Sequence, residues 1–566
     1  MLSILDNLKQ KITQELKLER AIFSYPPNSS LGDLSLACFE MAKTQKKNPV
    51  ELASELAVKL GQQNKLKKYF LEVKAAGPYL NFYINSEYLA DRVINQIKKD
   101  KKHYGSNRAG KKARIMIEFS NGNTHKEYHV GHLRNISYGD AVNRLLNANG
   151  YESIPVSYIN DFGIFTAKTL WNWEKNKEYE ASLEAKGYLL GKCYSEASQK
   201  LADHPEYKEE VSSIMKAIES RQGKYYELWK KTRDWSIEYY SSIYRELGIK
   251  FDHTFYESEY IDAGLKLVKE LVASRQLVKS EGAIIANLEQ YGLSVLPVIR
   301  TDGTALYPVA DFALAQAKFK NYNIKESIYV VDVRQGLYFQ QLAKIFELLG
   351  YKQKIKHLGY DFVTLPEGMM SSRTGNVITY EELKNKIWEK LIAETKKRHE
   401  DWISDRIKHV AWSLTISTIK FEMLKVSAEK IIIFDIDNAL RFDGYTACYL
   451  QYGYARLKSI IRKEPVRFFG RGADLNQLKE IKEKELLMKL AGYPEIVKAA
   501  GEKYNPSEIA KYLFELVQMF NDYYHEITIL KAEPKIRRAR LALIKAIAQV
   551  LNNGFNILGL QVIEEM

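Results

Sequence analysis

Cysteine is scarce in this chain: three in 566 residues, at Cys38, Cys193 and Cys448, with no CxxC pair. That spacing excludes a zinc ribbon, argues against a disulfide framework and suits a reducing compartment. Long apolar runs are also missing. No stretch approaches the ~18 residues needed to cross a bilayer, and the opening MLSILDNLKQKITQELKLERAIF lacks the apolar core and small-residue cleavage site of a signal peptide. These gaps lead us to expect a soluble cytoplasmic protein with no membrane partner. No internal repeat or low-complexity tract interrupts the chain.

What is present is ordinary globular material, 46% hydrophobic and 27% charged, in a chain long enough for several domains. Lys and Arg exceed Asp and Glu by 84 to 70, a formal charge of +14 that suits a polyanionic partner. The 38 tyrosines can serve cores or base stacking alike. The first hundred residues mix helix (NPVELASELAVKL) with strand (GPYLNFYI), and a basic, turn-rich KKDKKHYGSNRAGKK, Lys98 to Lys112, reads as a linker. ARIMIEFS, NGNTHKEYHVG, HLRNISYGDAVNRLLNANG and ESIPVSYIND then follow as strand, turn, helix and strand, the start of a parallel sheet. A long charged helical stretch covers about 166–249. Strand-like segments return in GAIIANL, SVLPVIR, SIYVVDV and DFVTLP, and from about Tyr380 onward the pattern is helical. The expected organisation is an α+β domain (1–108), a Rossmann-like α/β domain with a helical insertion (109–384) and an all-α domain (385–566).

The stretch THKEYHVGH places His129 and His132 three residues apart, with Lys126 three before the first. Zinc would need further ligands, and no HExxH helix or cysteine pair supplies them. Two structural histidines are a plain alternative. The position between a parallel strand and the first turn of a helix favours phosphate, because free N–H groups and the positive end of the helix dipole face an anion there. Gly131 lets a ligand approach the backbone, and the imidazoles and Lys126 add donors. About 240 residues later, LPEGMMSSRTGNVITYEEL offers a Ser/Thr/Arg-rich loop after a strand, fit for a mobile phosphate clamp.

Together these motifs resemble the class I aminoacyl-tRNA synthetases: HVGH resembles that family's HIGH motif and MMSSR its KMSKS loop. IEFSNGNTHKEYHVGHLRN, SYINDFG, TALYPVADFALAQAKF, YVVDVRQGLYFQQL, YLQYGYARLKSI and VLNNGFNILGLQVIEEM are similar to arginyl-tRNA synthetases, nearly end to end. The resemblance implies that arginine is activated with ATP and Mg²⁺ to arginyl-adenylate and passed to the terminal ribose of its tRNA. It also implies a monomer without bound zinc, and activation that commonly needs the tRNA.

Residue by residue, it implies Lys126, His129, His132 and Arg373 as catalytic groups, with Gly131, Met370, Ser371 and Ser372 at the ATP. Here Met369 and Ser372 replace the loop's two lysines, and the resemblance implies that Lys126, just before the HIGH-like motif, stands in for the second. Asn123 and Gln335 would hold the α-amino and α-carboxylate groups. Tyr307, Asp311 and Glu257 would meet the guanidinium, whose five donors call for carboxylates, and Glu118 would support the pocket floor. Tyr338 stands where a histidine is common in the family. For tRNA, Tyr445, Tyr449, Tyr452 and Arg456 recur at helical spacing, and the resemblance singles out Gln451, Tyr452, Arg456 and Met566, plus Tyr79 and Asn81 in the first domain, where Ala76 replaces the polar residue the family has just before them. Rival readings are a glutamyl or cysteinyl synthetase, a silent tRNA-binding paralogue, and a smaller HxGH nucleotidyltransferase.

Overall fold

The computed structural model describes residues 3–19, 21–182, 184–366, 378–464 and 472–566. An antiparallel sheet comes first, built from β1 (Phe23–Ser24), β2 (Leu34–Ala37), β3 (Phe70–Ala76) and β4 (Tyr79–Ile84) in the order β1-β2-β4-β3. Helix Pro49–Gly61 packs against it; Asn48 caps that helix by accepting from Val50 N, and proline stands at its first position, where no N–H is needed.

The central sheet explains the rest. Its strands are β5 (Arg114–Glu118), β6 (Glu152–Ile159), β7 (His253–Tyr256), β11 (Glu326–Asp332) and β12 (Lys354–Tyr360), all parallel in the order β12-β11-β5-β6-β7. β5, β6 and β11 are almost continuously buried, as parallel strands covered on both faces must be. The chain walks outward from β5 through β6 to β7, then returns to β11 and β12 on the other side. The reversal opens a crevice at the carboxyl ends of β5 and β11, where open α/β sheets bind ligands.

Two edge strands, β7 and β12, escape the hydrophobic pattern because they are only partly buried and carry His253, Lys354, Lys356 and His357. GAIIANL and SVLPVIR do form strands, but outside the parallel sheet: β9 (Ala283–Ala286) and β10 (Leu296–Ile299) join β8 (Val278–Ser280) in a small antiparallel sheet. DFVTLP supplies only β13 (Val363–Thr364), which pairs with β14 (Ile432–Ile433) inside the otherwise helical last third.

The helix after β5, Val130–Ala148, is held at both ends. Near its start, the buried Asn135 accepts from Ser120 N at 2.5 Å and donates to Val330 O at 2.7 Å and Tyr360 Oη at 3.2 Å, bracketing the reversal point. Near its end, Asp140 meets Lys420 at 3.0 Å and Arg144 at 3.0 Å, and Lys420 also donates to Leu247 O. These contacts lock helix Ser404–Leu424 of the helical domain onto the sheet domain. The basic stretch expected to be a linker is instead pinned: Tyr104 is buried, its hydroxyl donates to Leu490 O, and Asn553 donates to Lys101 O and Tyr104 O. Asp33 and Lys484 pair at 2.6 Å, and Lys9 and Glu495 at 2.9 Å, fastening the first domain to helix Ile481–Glu502. Helix Pro534–Leu558 is long and apolar enough to cross a membrane, but its apolar face, from Leu541 and Leu543 to Leu551, is buried in the bundle.

Replacing Asn135 by alanine would strand the buried Ser120 N–H and Val330 C=O. At about 1–3 kcal/mol for each unsatisfied group, the Asn135→Ala protein is expected to lose about 2–4 kcal/mol. A thermal scan should show its first transition lowered by several degrees, and an unchanged transition would contradict the bracket.

Candidate active site

Leaving β5, the backbone makes a tight turn at Asn123–Lys126, with Lys126 N donating to Asn123 O at 3.3 Å. His125 sits at φ +62°, the left-handed region that costs a non-glycine residue about 1–2 kcal/mol. Its ring is wholly buried, with Nδ1 2.9 Å from Thr124 Oγ1 and Nε2 2.8 Å from Thr232 Oγ1, while its N–H donates to Ser236 Oγ. Burial lowers its pKa to about 3, so it is a neutral structural group. Sequence reasoning passed over it, since its partners lie more than a hundred residues away.

His129 caps the following helix. Its Nδ1 accepts from Gly131 N at 3.1 Å, and its own N–H donates to Nδ1 of His132 at 3.1 Å. The rings stand 3.9 Å apart. Burial lowers the His129 pKa to about 4, and burial together with His129 and Lys126 holds His132 well below its ordinary value. Both are therefore neutral near pH 7. Because each Nδ1 is an acceptor, each Nε2 carries the proton, giving two outward donors beside the positive helix end. Lys126 lies over the rings of Phe165 (5.0 Å) and Tyr194 (5.2 Å), and among the described residues no carboxylate pairs with it. Burial and nearby Lys168 lower its pKa. Two histidine N–H groups, an uncommitted lysine and a helix N-terminus form a receptor for an anion.

Met370, Ser371, Ser372 and Arg373 lie outside the described residues. Further along the chain, Val130 N donates to Ile378 O at 3.3 Å and Tyr380 N to Tyr128 O at 2.7 Å, so residues 378–380 are stitched edge to edge to the start of the helix.

Elsewhere in the sheet domain, the chemistry reverses. Asp311, on the first turn of helix Pro308–Tyr322, accepts from Tyr338 Oη at 2.5 Å. Glu257 opens the short turn after β7. Neither forms an ion pair with a cation of the chain among the described residues. Burial raises Glu257 to about 8, with the fields of Asp311 and Asp161 adding; burial raises Asp311 to about 7, against the opposing hydrogen bond from Tyr338. Tyr158, at the end of β6, is buried close enough for Asp311 and Glu257 to push its pKa up after burial itself, and its hydroxyl has no partner among the described residues. Tyr307 is exposed and meets Tyr338 edge to face at 5.4 Å. Gln335 is exposed at the end of β11, and Asn123 is half-buried at the end of β5. The pocket is an acidic slot waiting for a cation.

Other expected residues change role. Glu118 is not a free carboxylate: Lys318 Nζ donates to it in a fully buried pair, and that partner raises the Lys318 pKa. It shapes the floor through Lys318. Asp161, which the SYINDFG motif contains and the sequence reading left without a role, is fully buried. It accepts from Ser258 N, Ser258 Oγ and Arg233 Nε, fixing the turn that carries Glu257.

In the helical domain, Arg456 donates to Asn521 Oδ1 at 2.7 Å and Tyr452 Oη at 3.1 Å, and Asn521 donates to Tyr449 Oη, forming a half-exposed aromatic and guanidinium face. Tyr445 precedes that helix and packs on Phe421 and Phe514 instead. Gln451 is fully buried and holds the chain's own last residues, donating to Gln561 O at 2.5 Å and accepting from Ile563 N at 3.1 Å. A direct tRNA contact from Gln451 is thus replaced by tail anchoring. Glu564 and Glu565 pair with Lys458 and Arg462, leaving Met566 half-buried beside them. In the first domain Tyr79 is exposed with an edge against Phe39 at 5.8 Å, whereas Asn81 is only 4% exposed and does not present its amide at the surface.

Comparison with known proteins agrees with this geometry. Family models match over 3–84 (Arginyl tRNA synthetase N terminal domain), 93–436 (tRNA synthetases class I (R), catalytic domain) and 450–566 (DALR anticodon binding domain). The chain is 36% identical over 551 residues to an arginine–tRNA ligase of Bdellovibrio bacteriovorus, covering 96% of this chain and 93% of that relative. It is 32% identical to an arginine–tRNA ligase of Clostridium perfringens, covering 100% and 99%. The Thermus thermophilus arginyl-tRNA synthetase structure superposes with a TM-score of 0.83 at 25% identity, over 100% of both chains.

The raised carboxyls carry a pH signature. A guanidinium binds their ionised forms, so below pH 8 it must first displace protons. Affinity for a guanidinium ligand is expected to fall at least about tenfold from pH 8.5 to pH 6, since each proton displaced below its pKa costs about a factor of ten per pH unit. Calorimetry in buffers of different ionisation enthalpy would show proton release. An affinity flat across that range would mean that neither Asp311 nor Glu257 takes the ligand.

Proposed function

The chain belongs to the class I arginyl-tRNA synthetases, and from that premise we propose that it charges its tRNA with arginine through the crevice described above. The observation that carries this reading is the pairing of opposite chemistries in one domain. Among the described residues, two raised carboxyls without an ion-pair partner, Glu257 just after β7 and Asp311, belong to the same parallel-sheet domain whose turn after β5 carries the phosphate-ready helix start.

In this reading the arginine guanidinium enters between Asp311 and Glu257, with Tyr307 flanking it and Tyr158 offering a further hydroxyl. Asn123 and Gln335 hold the α-amino and α-carboxylate groups. ATP arrives with its Mg²⁺ and lays its phosphates across the Nε2–H groups of His129 and His132 and the first turn at Gly131, with Lys126 and the 369–373 segment (Met370, Ser371, Ser372, Arg373) around the leaving pyrophosphate. A carboxylate oxygen of arginine attacks the α-phosphorus, the bond to the β-phosphate oxygen breaks, and arginyl-adenylate forms. A ribose hydroxyl of the terminal tRNA nucleotide then attacks the arginyl carbonyl and AMP leaves. Neutral histidines suit the first step because their Nε2–H groups donate hydrogen bonds to developing negative charge and are far too weakly acidic to give the proton up.

The chain's net charge of +14 would favour the tRNA's phosphates. Tyr452, Arg456 and the tail ending at Met566 would meet anticodon bases by stacking, and Tyr79 in the first domain (1–108) would reach the outer corner. The reading makes the enzyme a cytoplasmic monomer, because one chain carries the pocket, the phosphate site and the anticodon face.

ATP–pyrophosphate exchange tests this, run with arginine, lysine or glutamate, with and without tRNA. Exchange is expected with arginine alone and only when tRNA is bound. Lys126→Met should lower the rate about 10²–10³-fold, the usual cost of losing one such charge-stabilising donor. Exchange supported by none of the three amino acids would leave a tRNA-binding paralogue as the better account.

A further inference from the structure

The helix that closes the insertion, Gly223–Glu246, runs the length of the crevice, and one of its faces touches each part of the site in turn. Trp229 Nε1 donates to Asp161 O at 2.8 Å, and Arg233 holds the Asp161 carboxylate beneath the Glu257 turn. Thr232 and Ser236 take the ring and N–H of His125. Tyr244 Oη accepts from Ser120 Oγ at 2.9 Å, and Glu246 accepts from Tyr380 Oη at 2.6 Å and Lys384 Nζ at 3.0 Å, where the chain leaves the second signature segment.

At the middle of this face stands Tyr240. Its hydroxyl donates to Asn123 O and reaches Lys126 O at 3.3 Å, the two carbonyls that open and close the left-handed turn. The ring is buried and lies directly on the backbone: a Cβ on Gly122 would come within 2.8 Å of Tyr240 Cε2. Asn123 and Lys126 stand at opposite ends of the turn, and the Lys126 ammonium lies over the rings of Phe165 and Tyr194.

We propose that Tyr240 is a positioning residue for arginine activation: through the carbonyls of Asn123 and Lys126 it sets the separation between the amino-acid end and the phosphate end of the site. The inference rests on the roles proposed above for those two residues. A hydroxyl that aligns two reactants affects the rate of the step and leaves each reactant's own binding intact, and small misalignments between reacting groups cost up to about 10²-fold.

Tyr240→Phe keeps the ring and its packing on Gly122 and removes only the hydroxyl. Exchange per titrated active site, with arginine and tRNA present, is expected to fall at least about tenfold. KM for arginine and for ATP should stay within about twofold. Glu238→Gln, on the exposed side of the same helix, should match the wild type. If Tyr240→Phe yields little folded protein, the same criteria are applied to the fraction that titrates as active sites. A kcat within about twofold of the wild type, or a loss confined to KM for arginine, overturns the proposal. Silence of the wild type with arginine and tRNA would overturn the proposed function itself. An active wild type with an equally active Tyr240→Phe would overturn the positioning role alone.

Discussion

Everything in the crevice depends on one short piece of backbone being held in a conformation it would not choose. The chain leaving β5 must turn within a few residues so that the helix beginning at Val130 can aim its N–H groups at the ligand. It does so by placing His125 in the left-handed region. Strain of that kind persists only where the surroundings over-determine it. Here they do so from several sides: Thr232, Ser236 and Tyr240 from the insertion, Asn160 from the end of β6, and Asn135 from the helix the turn feeds. The helical insertion is therefore the site's back wall, and its length is set by the crevice it has to span.

The second constraint is electrostatic separation. A slot with two uncompensated carboxylates and a lysine without a counter-ion share one crevice, and joined together they would neutralise each other. The Lys126 ammonium is seated over Phe165 and Tyr194. The buried Lys318–Glu118 pair lies beneath, with its charges already matched. Each half is left incomplete, one wanting a cation and the other an anion. A site whose buried polar groups need one partner rejects ligands that lack it far more strongly than an apolar pocket can.

The parts of this arrangement legible in the sequence were those set by neighbours along the chain. The apolar runs of β5 and β6, the turn and helix between them, and the histidine spacing follow from local pattern, and the resemblance to the arginyl family supplied Glu257 and Asp311. What the pattern missed depends on residues that come from elsewhere. β7 and β12 are edge strands with charged residues, and only their neighbours identify them. The basic linker looked free until Tyr104 was seen beneath the bundle. Gln451 stands on a helix whose exposed face suggested a contact, yet the chain's own last residues cover it. His125, Asp161 and Tyr240 gave no local sign because each finds its partner across a long interval of sequence.

The helix Pro534–Leu558 imposes an order of events on synthesis. Asn553 supplies hydrogen bonds to Lys101 O and Tyr104 O, Asn556 accepts from Arg144, and Gly559 packs against the Lys420–Asp140 pair. All of these partners leave the ribosome long before the helix that completes them. The catalytic domain thus spends most of translation with its underside open, as a chain dominated by such distant pairings must.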